Sequence, residues 1–381
     1  MNIASKLHAL RVVIVTHEYA TGPSHALETY LQGKVSKLAF IAHPFVFAKE
    51  KRSHIRESTK KEYFFPFYIP IQFLNLVKDV FLTFIWCLRF GSIDLYVGVD
   101  NVNASVGAIL QKIGLVQKTV FYTIDYIPNR HNNKFLNTVY HKLDAFAVKN
   151  VDVIWNLSSI MADEREKVGL SSLKIRYKQL VVPMGTDAMV SSLPFTKIKR
   201  YHAAHMGHLI RKQGVQRVIE AIPIILKRIP RFHLDIIGGG PMEQELLRMV
   251  HTLRLKKHVT FYGFIKNHDE VETLLSRCAV AVAPYVDSPD NFVRFTDPGK
   301  VKAYLSVGLP IVITKVPDVW KILVGQKAGI AVSDTPDALA KAIIILLSDD
   351  KKLQQYRHNA LLLGQKFSWN NIFTQAVSKT V

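Results

Sequence analysis

Twice along this chain, short runs of branched and aromatic apolar residues alternate with segments of helical periodicity, and few folds satisfy that pattern. Residues 11–16 (RVVIVT) form a continuous apolar run; Gly22, Pro23 and Ser24 follow, and residues 25–31 then take helical spacing. Residues 38–42, 93–99, 119–123 and 151–157 repeat the signature of strands buried on both faces, with helical stretches between several of them. Such strands need cover on both sides, which predicts a parallel sheet between helices. The rhythm breaks over 183–200, where Pro183, Gly185, Asp187 and Pro194 precede Lys197, Lys199 and Arg200. It then resumes, with strands at 203–206, 232–237, 259–262, 279–283 and 310–314 and helices at 216–227, 242–253, 269–276, 300–307 and 336–347. The expected fold class is α/β with two doubly wound domains, the first over 1–190 and the second opening at 200. Solenoids and propellers are excluded, because no internal repeat of the necessary period is present.

A chain of 381 residues with 49% hydrophobic content has enough material for two cores. Lys and Arg total 50 against 30 Asp and Glu, a net charge of +20, yet only 21% of residues are charged, so this is a globular chain with an anionic partner. Nucleic acid, an anionic membrane surface and a phosphorylated ligand all satisfy that excess. The basic residues are dispersed and carry no helix-turn-helix or aromatic RNA-binding signature, so nucleic acid is not expected. Cys87 and Cys278 stand far apart without metal-ligand spacing, which predicts neither a disulfide framework nor a structural zinc site and fits the reducing cytoplasm. The apolar run at 12–15 reaches His17 and Glu18 too soon for a secretory leader. Residues 71–88 carry Lys78 and Asp79 in their middle and fall short of the roughly 20 apolar residues of a membrane span, so they predict a buried or interfacial helix. The run 49–61, with six Lys or Arg against two acids, predicts an exposed loop.

In open parallel sheets ligands bind beyond the carboxyl ends of the strands, so the loops after each strand are the ones that carry chemistry. Residues 207–214 (GHLIRKQG) combine Gly207 and Gly214 with Arg211 and Lys212, either to let a diphosphate approach the backbone or simply as a solvated loop. The triple glycine 238–240 serves a tight turn and lacks the GxGxxG of a nicotinamide fingerprint. In 295–310 (FTDPGKVKAYLSVGLP), Thr296 or Asp297 caps a helix and Pro298 suits its first turn. Gly299 leaves amides open to an anion, and Lys300 adds a full charge. Its alternatives are a phosphate cradle and an ordinary capped helix. Asp125 ends the run at 119–123 and is either a general base or a loop-capping carboxylate. His17, Glu18 and Gly22 after the first strand are candidates for contacting a second substrate, or are structural.

Taken together, these motifs resemble GT-B glycosyltransferases over nearly the whole chain. The resemblance rests on 207–214, 234–241 (LDIIGGGP), 259–263 (VTFYG), 279–285 (AVAVAPY) and 300–312 (KVKAYLSVGLPIV), which follow the order of the nucleotide-sugar domain in family-four-like retaining transferases. Residues 182–187 (VPMGTD) resemble that family's interdomain P-N-G-x-D with Met184 in place of Asn, and 367–369 (FSW) resemble the start of its terminal crossover helix. The family's two glutamates fall on Phe295 and Ala303, its first-domain histidine on Asp125, and its acidic uridine contact on Phe264. In these departures the chain is more similar to the bacterial glucuronosyltransferase of xanthan-type polysaccharide assembly, an inverting, membrane-associated enzyme.

The resemblance implies two Rossmann-like domains facing across a cleft: an acceptor domain at 1–190, a nucleotide-sugar domain at 200–363 and a crossover helix at 364–381 packing back on the first. It implies transfer from a nucleoside diphosphate sugar, UDP before GDP, to a hydroxyl of a lipid-linked or polysaccharide acceptor, with Asp125 as base. Donor binding falls to Gly207, Leu209, Arg211, Lys212, Tyr285, Pro298, Gly299 and Lys300, and acceptor binding to His17, Glu18 and Gly22. No DxD motif is present, so no metal and no cofactor are expected. The dispersed positive charge and the helix at 71–88 imply peripheral attachment to the cytoplasmic face of an anionic membrane. Two rivals stand beside this reading: a nucleotide-sugar epimerase of the same fold, and a catalytically degenerate sugar-nucleotide or nucleic-acid binding protein.

Overall fold

A computed structural model of the chain describes residues 3–18, 22–45, 51–58, 62–130, 132–187 and 192–381. Two compact units emerge: Met1–Pro183 together with Trp369–Val381, and Met184–Ser368.

The first unit is built on eight strands: β1 Arg11–Glu18, β2 Lys37–Pro44, β3 Ser53–Glu57, β4 Glu62–Phe65, β5 Ile93–Val99, β6 Val116–Thr123, β7 Val153–Asn156 and β8 Gln179–Val181, in the order β4-β3-β2-β1-β5-β6-β7-β8. From β2 to β8 the neighbours run parallel, and the central strands are buried along nearly their full length, as continuous apolar runs require. The far edge corrects the sequence reading. The basic stretch expected as an exposed loop contains β3, which pairs antiparallel with β2 and β4 and buries Ser53, His54 and Ile55. The edge itself is β4, exposed along most of its length, and the flanking lysines and arginines masked the short buried set of β3.

The helix Gln72–Phe90 turns Leu82, Trp86, Cys87 and Phe90 into the core formed by Val13, Ile41 and Tyr96. The terminal helix Trp369–Ser378 belongs to the same unit. Its Phe373 lies against Tyr30 and Trp155, Tyr30 Oη is 3.1 Å from Thr374 Oγ1, and Trp155 Nε1 donates to Thr380 Oγ1 at 3.1 Å.

The second unit has six parallel strands, β9 His202–Met206, β10 His233–Ile237, β11 Val259–Gly263, β12 Val280–Ala283, β13 Ile311–Thr314 and β14 Gly329–Val332, ordered β11-β10-β9-β12-β13-β14. Chain order reverses between β9 and β12, the crevice where doubly wound sheets take ligands. The helix Val215–Leu226 buries Val218, Ile219, Ile222 and Ile225 and packs on the helix Pro336–Leu347. Among the elements that escaped the sequence reading are β14, only four residues long, the short helix Trp320–Gly325, and the helix Asp350–Lys366, a polar segment whose buried face is Leu353, Arg357, Ala360 and Leu363.

Candidate active site

At the carboxyl ends of β9 and β10 the two glycine loops are stitched backbone to backbone. Gly207 donates its N–H to Ile237 O at 2.9 Å, Leu209 to Gly239 O at 3.0 Å, and Met242 returns a bond to Leu209 O at 3.0 Å. Gly238 has φ +138°, and a β-carbon there would lie 2.0 Å from Gly207 O, so only glycine permits the approach. Leu209 is buried, and both its backbone groups serve this junction.

Lys300 is brought against that junction. Its Nζ donates to Gln213 Oε1 at 2.6 Å and lies 5.2 Å from the centre of the Tyr285 ring. Among the described residues no carboxylate pairs with it. Burial therefore acts unopposed and pushes the Lys300 ammonium down to about 7. Beneath it are two buried polar atoms without partners, Tyr285 Oη and His205 Nε2, and burial followed by the nearby Lys300 charge drives His205 well below the usual histidine range. Of the two, the Tyr285 hydroxyl can donate to an anion, whereas the neutral His205, whose Nδ1 lies 3.3 Å from Val282 O, presents Nε2 as an acceptor.

The helix Gly299–Ser306 starts one residue ahead of the expected 300, and neither Thr296 nor Asp297 caps it. Pro298 occupies its cap position, and no side chain caps it. The carboxylate of Asp297 is used elsewhere: it accepts the Met184 N–H at 2.7 Å and pairs with the buried Lys302. The first amides, including that of Gly299, thus stay open beside Lys300, as an anion site needs. Arg211 and Lys212 are committed to carboxylates, Arg211 to Glu245 at 2.9 Å and Lys212 to Asp290 at 2.7 Å. The structure therefore brings together Gly207, Leu209, Tyr285, Pro298, Gly299 and Lys300, while Arg211 and Lys212 have other partners. Sequence reasoning missed Gln213 and His205, which no motif singles out; a lysine expected to be buried could have prompted the search for its acceptor.

In the first unit, Asp125 follows β6 and is held by Arg130 at 2.7 Å, whose guanidinium lies over Tyr140 at 5.5 Å. The carboxylate is 40% exposed. At the switch point of this sheet, between β1 and β5, His17 Nδ1 lies 2.9 Å from Asp100 Oδ2, and His17 Nε2 lies 3.6 Å from Asp79. Burial disfavours the imidazolium, but Asp100 and Asp79 outweigh it and raise His17 to about 9. His43, on the other side of Asp79 at 3.3 Å, is pushed down to about 4 by burial and the His17 charge. Asp100 has φ +82°, a strained conformation for a residue with a β-carbon, while its carboxylate accepts the N–H groups of Val102 and Asn103 at 2.9 Å. Gly22 precedes the helix Pro23–Leu31 as its cap. Glu18 closes β1, and its side chain lies outside the described residues. Asp100 and Asp79 were missed, although Asp100 directly follows an apolar strand, as Asp125 follows one at a single residue's distance.

Residues 200–349 match the family model described as Glycosyl transferases group 1. The chain is 23% identical over 243 residues, 61% of its length, to glycogen synthase of Mycobacterium tuberculosis (strain CDC 1551 / Oshkosh), of which the match covers 55%. It is 27% identical over 151 residues, 39% of its length, to the GDP-mannose-dependent alpha-(1-6)-phosphatidylinositol monomannoside mannosyltransferase of Mycolicibacterium smegmatis (strain ATCC 700084 / mc(2)155), covering 38% of that enzyme. The chain thus spans about half the length, or less, of these curated relatives. The fold matches Anabaena Alr3699/HepE, solved in complex with UDP, with a TM-score of 0.72 at 15% identity, over 97% of this chain and 99% of that one. No helix among the described residues is long and apolar enough to cross a membrane. The chain has the GT-B glycosyltransferase fold, and its second unit carries a glycosyl transferases group 1 domain.

Proposed function

We propose that this chain is a glycosyltransferase that moves a sugar from a nucleoside diphosphate sugar, UDP in preference to GDP, to a hydroxyl of a lipid-linked or polysaccharide acceptor. The observation that carries this reading is the buried Lys300 ammonium, without a carboxylate partner, at the open N-terminus of the helix Gly299–Ser306 and against the glycine junction. In the reaction the acceptor oxygen bonds to the anomeric carbon as the bond to the diphosphate oxygen breaks. Asp125 takes the hydroxyl proton, and the configuration inverts. Charge building on the departing diphosphate is met by Lys300 and the helix amides, a preorganised stabilisation worth several kcal/mol of barrier, so the scheme requires no metal ion. The UDP preference is supported by the fold's likeness to a protein solved with UDP.

The same reading attaches the protein to the cytoplasmic face of an anionic membrane. The helix Gln72–Phe90 has a second apolar face, Leu74, Val77, Phe81, Ile85 and Leu88, left exposed while its other face fills the core. A surface helix ordinarily hides its apolar stripe, and an exposed one of this size fits a lipid interface. The deciding experiment incubates the protein with UDP-, GDP- and ADP-sugars, with and without polyprenyl-linked acceptors, and follows nucleotide release and product anomer by NMR. Acceptor-dependent UDP release with an inverted product is expected. Donor conversion without acceptor would favour an epimerase, and no donor binding by thermal shift would remove the enzyme reading.

A further inference from the structure

The end of the second sheet remote from the donor loops holds a cluster with a different chemistry. In the parallel pairing of β9 with β10, His202 stands directly opposite His233, and Asp235 lies two residues further along β10, on the same face. The two imidazoles stack with centroids 4.6 Å apart. His202 Nδ1 is 2.6 Å from Asp235 Oδ2, and His233 Nε2 is 3.9 Å from Asp235 Oδ1. One ligand atom from each of the three lies within 4.8 Å of the others.

We propose that His202, His233 and Asp235 form a binding site for a divalent transition-metal ion, zinc by the chemistry of two imidazoles and a carboxylate. Zinc bonds of about 2.0–2.2 Å place tetrahedral ligand atoms roughly 3.3–3.6 Å apart. The 2.6 Å contact of His202 with Asp235 would open by about 1 Å, and the widest ligand-atom separation, within 4.8 Å, would close by at most about 1.5 Å, within side-chain motion. Tyr262 Oη donates to Asp235 Oδ1 at 3.1 Å, the kind of contact that holds a ligating carboxylate, while Thr260 Oγ1, 2.8 Å from His233 Nε2, would yield that nitrogen to the ion. Both histidines are about one-fifth exposed, so an ion has a way in and water a place as fourth ligand.

This site is distinct from the donor loops. His202 opens β9 and Gly207 follows its other end, five residues or roughly 16 Å away along an extended strand. The ion would clamp β9 to β10, and the inference stands whether or not the chain transfers sugar. Local spacing in the sequence hides the site, because strand register assembles it.

The test uses the full chain, stripped with a chelator, dialysed and titrated with zinc chloride by calorimetry, with melting followed in parallel. One zinc per chain and a raised melting temperature are expected, with affinity about 100-fold weaker in both His202→Ala and His233→Asn. Circular dichroism establishes that each variant is folded; a variant that does not fold is replaced by Asp235→Asn, judged by the same criterion. Wild-type protein that takes up no zinc overturns the proposal. So does binding of unchanged strength in the folded variants, which would assign the zinc to other histidines.

Discussion

The ammonium of Lys300 fills the space that a side chain at residue 207 would need: a β-carbon on Gly207 would stand 2.6 Å from Lys300 Nζ. With φ at +140°, Gly207 is also in a backbone region that alanine resists. Gly207→Ala should therefore cost about 1–3 kcal/mol of stability and displace the cation. Turnover should fall by about 10²–10³-fold, as for loss of a preorganised electrostatic donor. Lys300→Ala should lose similar turnover while melting no lower than wild type, since it removes a buried charge lacking an anionic partner. Nucleotide release and melting curves measured together separate the two effects.

Binding of a diphosphate should be linked to proton uptake. Without ligand, burial holds Lys300 at about 7, so at pH 8 most molecules carry the neutral amine. An adjacent diphosphate favours the ammonium, and each binding event should then take up close to one proton. Calorimetry of UDP binding in two buffers of different ionisation enthalpy reads this directly, and Lys300→Ala should abolish the difference. The stability term has a fixed sign. Burial of the ammonium is fully penalised below about pH 7, and the penalty is relieved as pH rises toward the unfolded value of 10.5.

His17 should produce the opposite pH dependence. Its folded value of about 9 exceeds the unfolded 6.5, so its stabilisation is complete below pH 6.5 and disappears as pH rises through 9. Urea melts of wild type minus His17→Gln should show a stability difference that shrinks across that window. A difference independent of pH would mean that His17 is neutral in the folded protein and that Asp100 and Asp79 do not hold its proton.

Asp125→Asn should eliminate transfer while UDP binding persists, because the donor groups of the second unit are untouched. Its pairing with Arg130 is partly exposed, and such pairs contribute about 0–1 kcal/mol, so the variant should remain folded. Arg130→Ala is the informative control. It removes the same ion pair but leaves the proposed base, and should retain measurable turnover. Equal losses in the two variants would make the pair structural.

Much of this architecture was legible because central parallel strands have no polar face: RVVIVT or AVAVA admits few other uses. Lys300 and Gly299 were legible because proline, glycine and lysine in succession before an apolar helical spacing mark a helix start. What stayed hidden depended on register or pairing. Nothing local to Arg211 or Lys212 tells that Glu245 and Asp290 neutralise them, and nothing near His17 reveals Asp79, far along the chain on the helix Gln72–Phe90. β3, the strand next to the edge, was hidden by the charges that flank its short buried set, Ser53, His54 and Ile55.

The exposed face of that same helix yields the last prediction. Phe81 is 64% exposed and Leu88 59%, so replacing both by serine removes little packing and should change stability by no more than about 0.5 kcal/mol. If the face docks on lipid, Phe81→Ser with Leu88→Ser should abolish cosedimentation with vesicles containing anionic phosphatidylglycerol. Trp86→Ser, by contrast, opens the core and should unfold the first unit. Raising salt should weaken wild-type binding without eliminating it, because the basic residues contribute about 1 kcal/mol each near an anionic leaflet while the apolar contribution is insensitive to ionic strength. Complete release by salt would reduce the attachment to charge alone, and unchanged binding of the double variant would remove this helix from the interface.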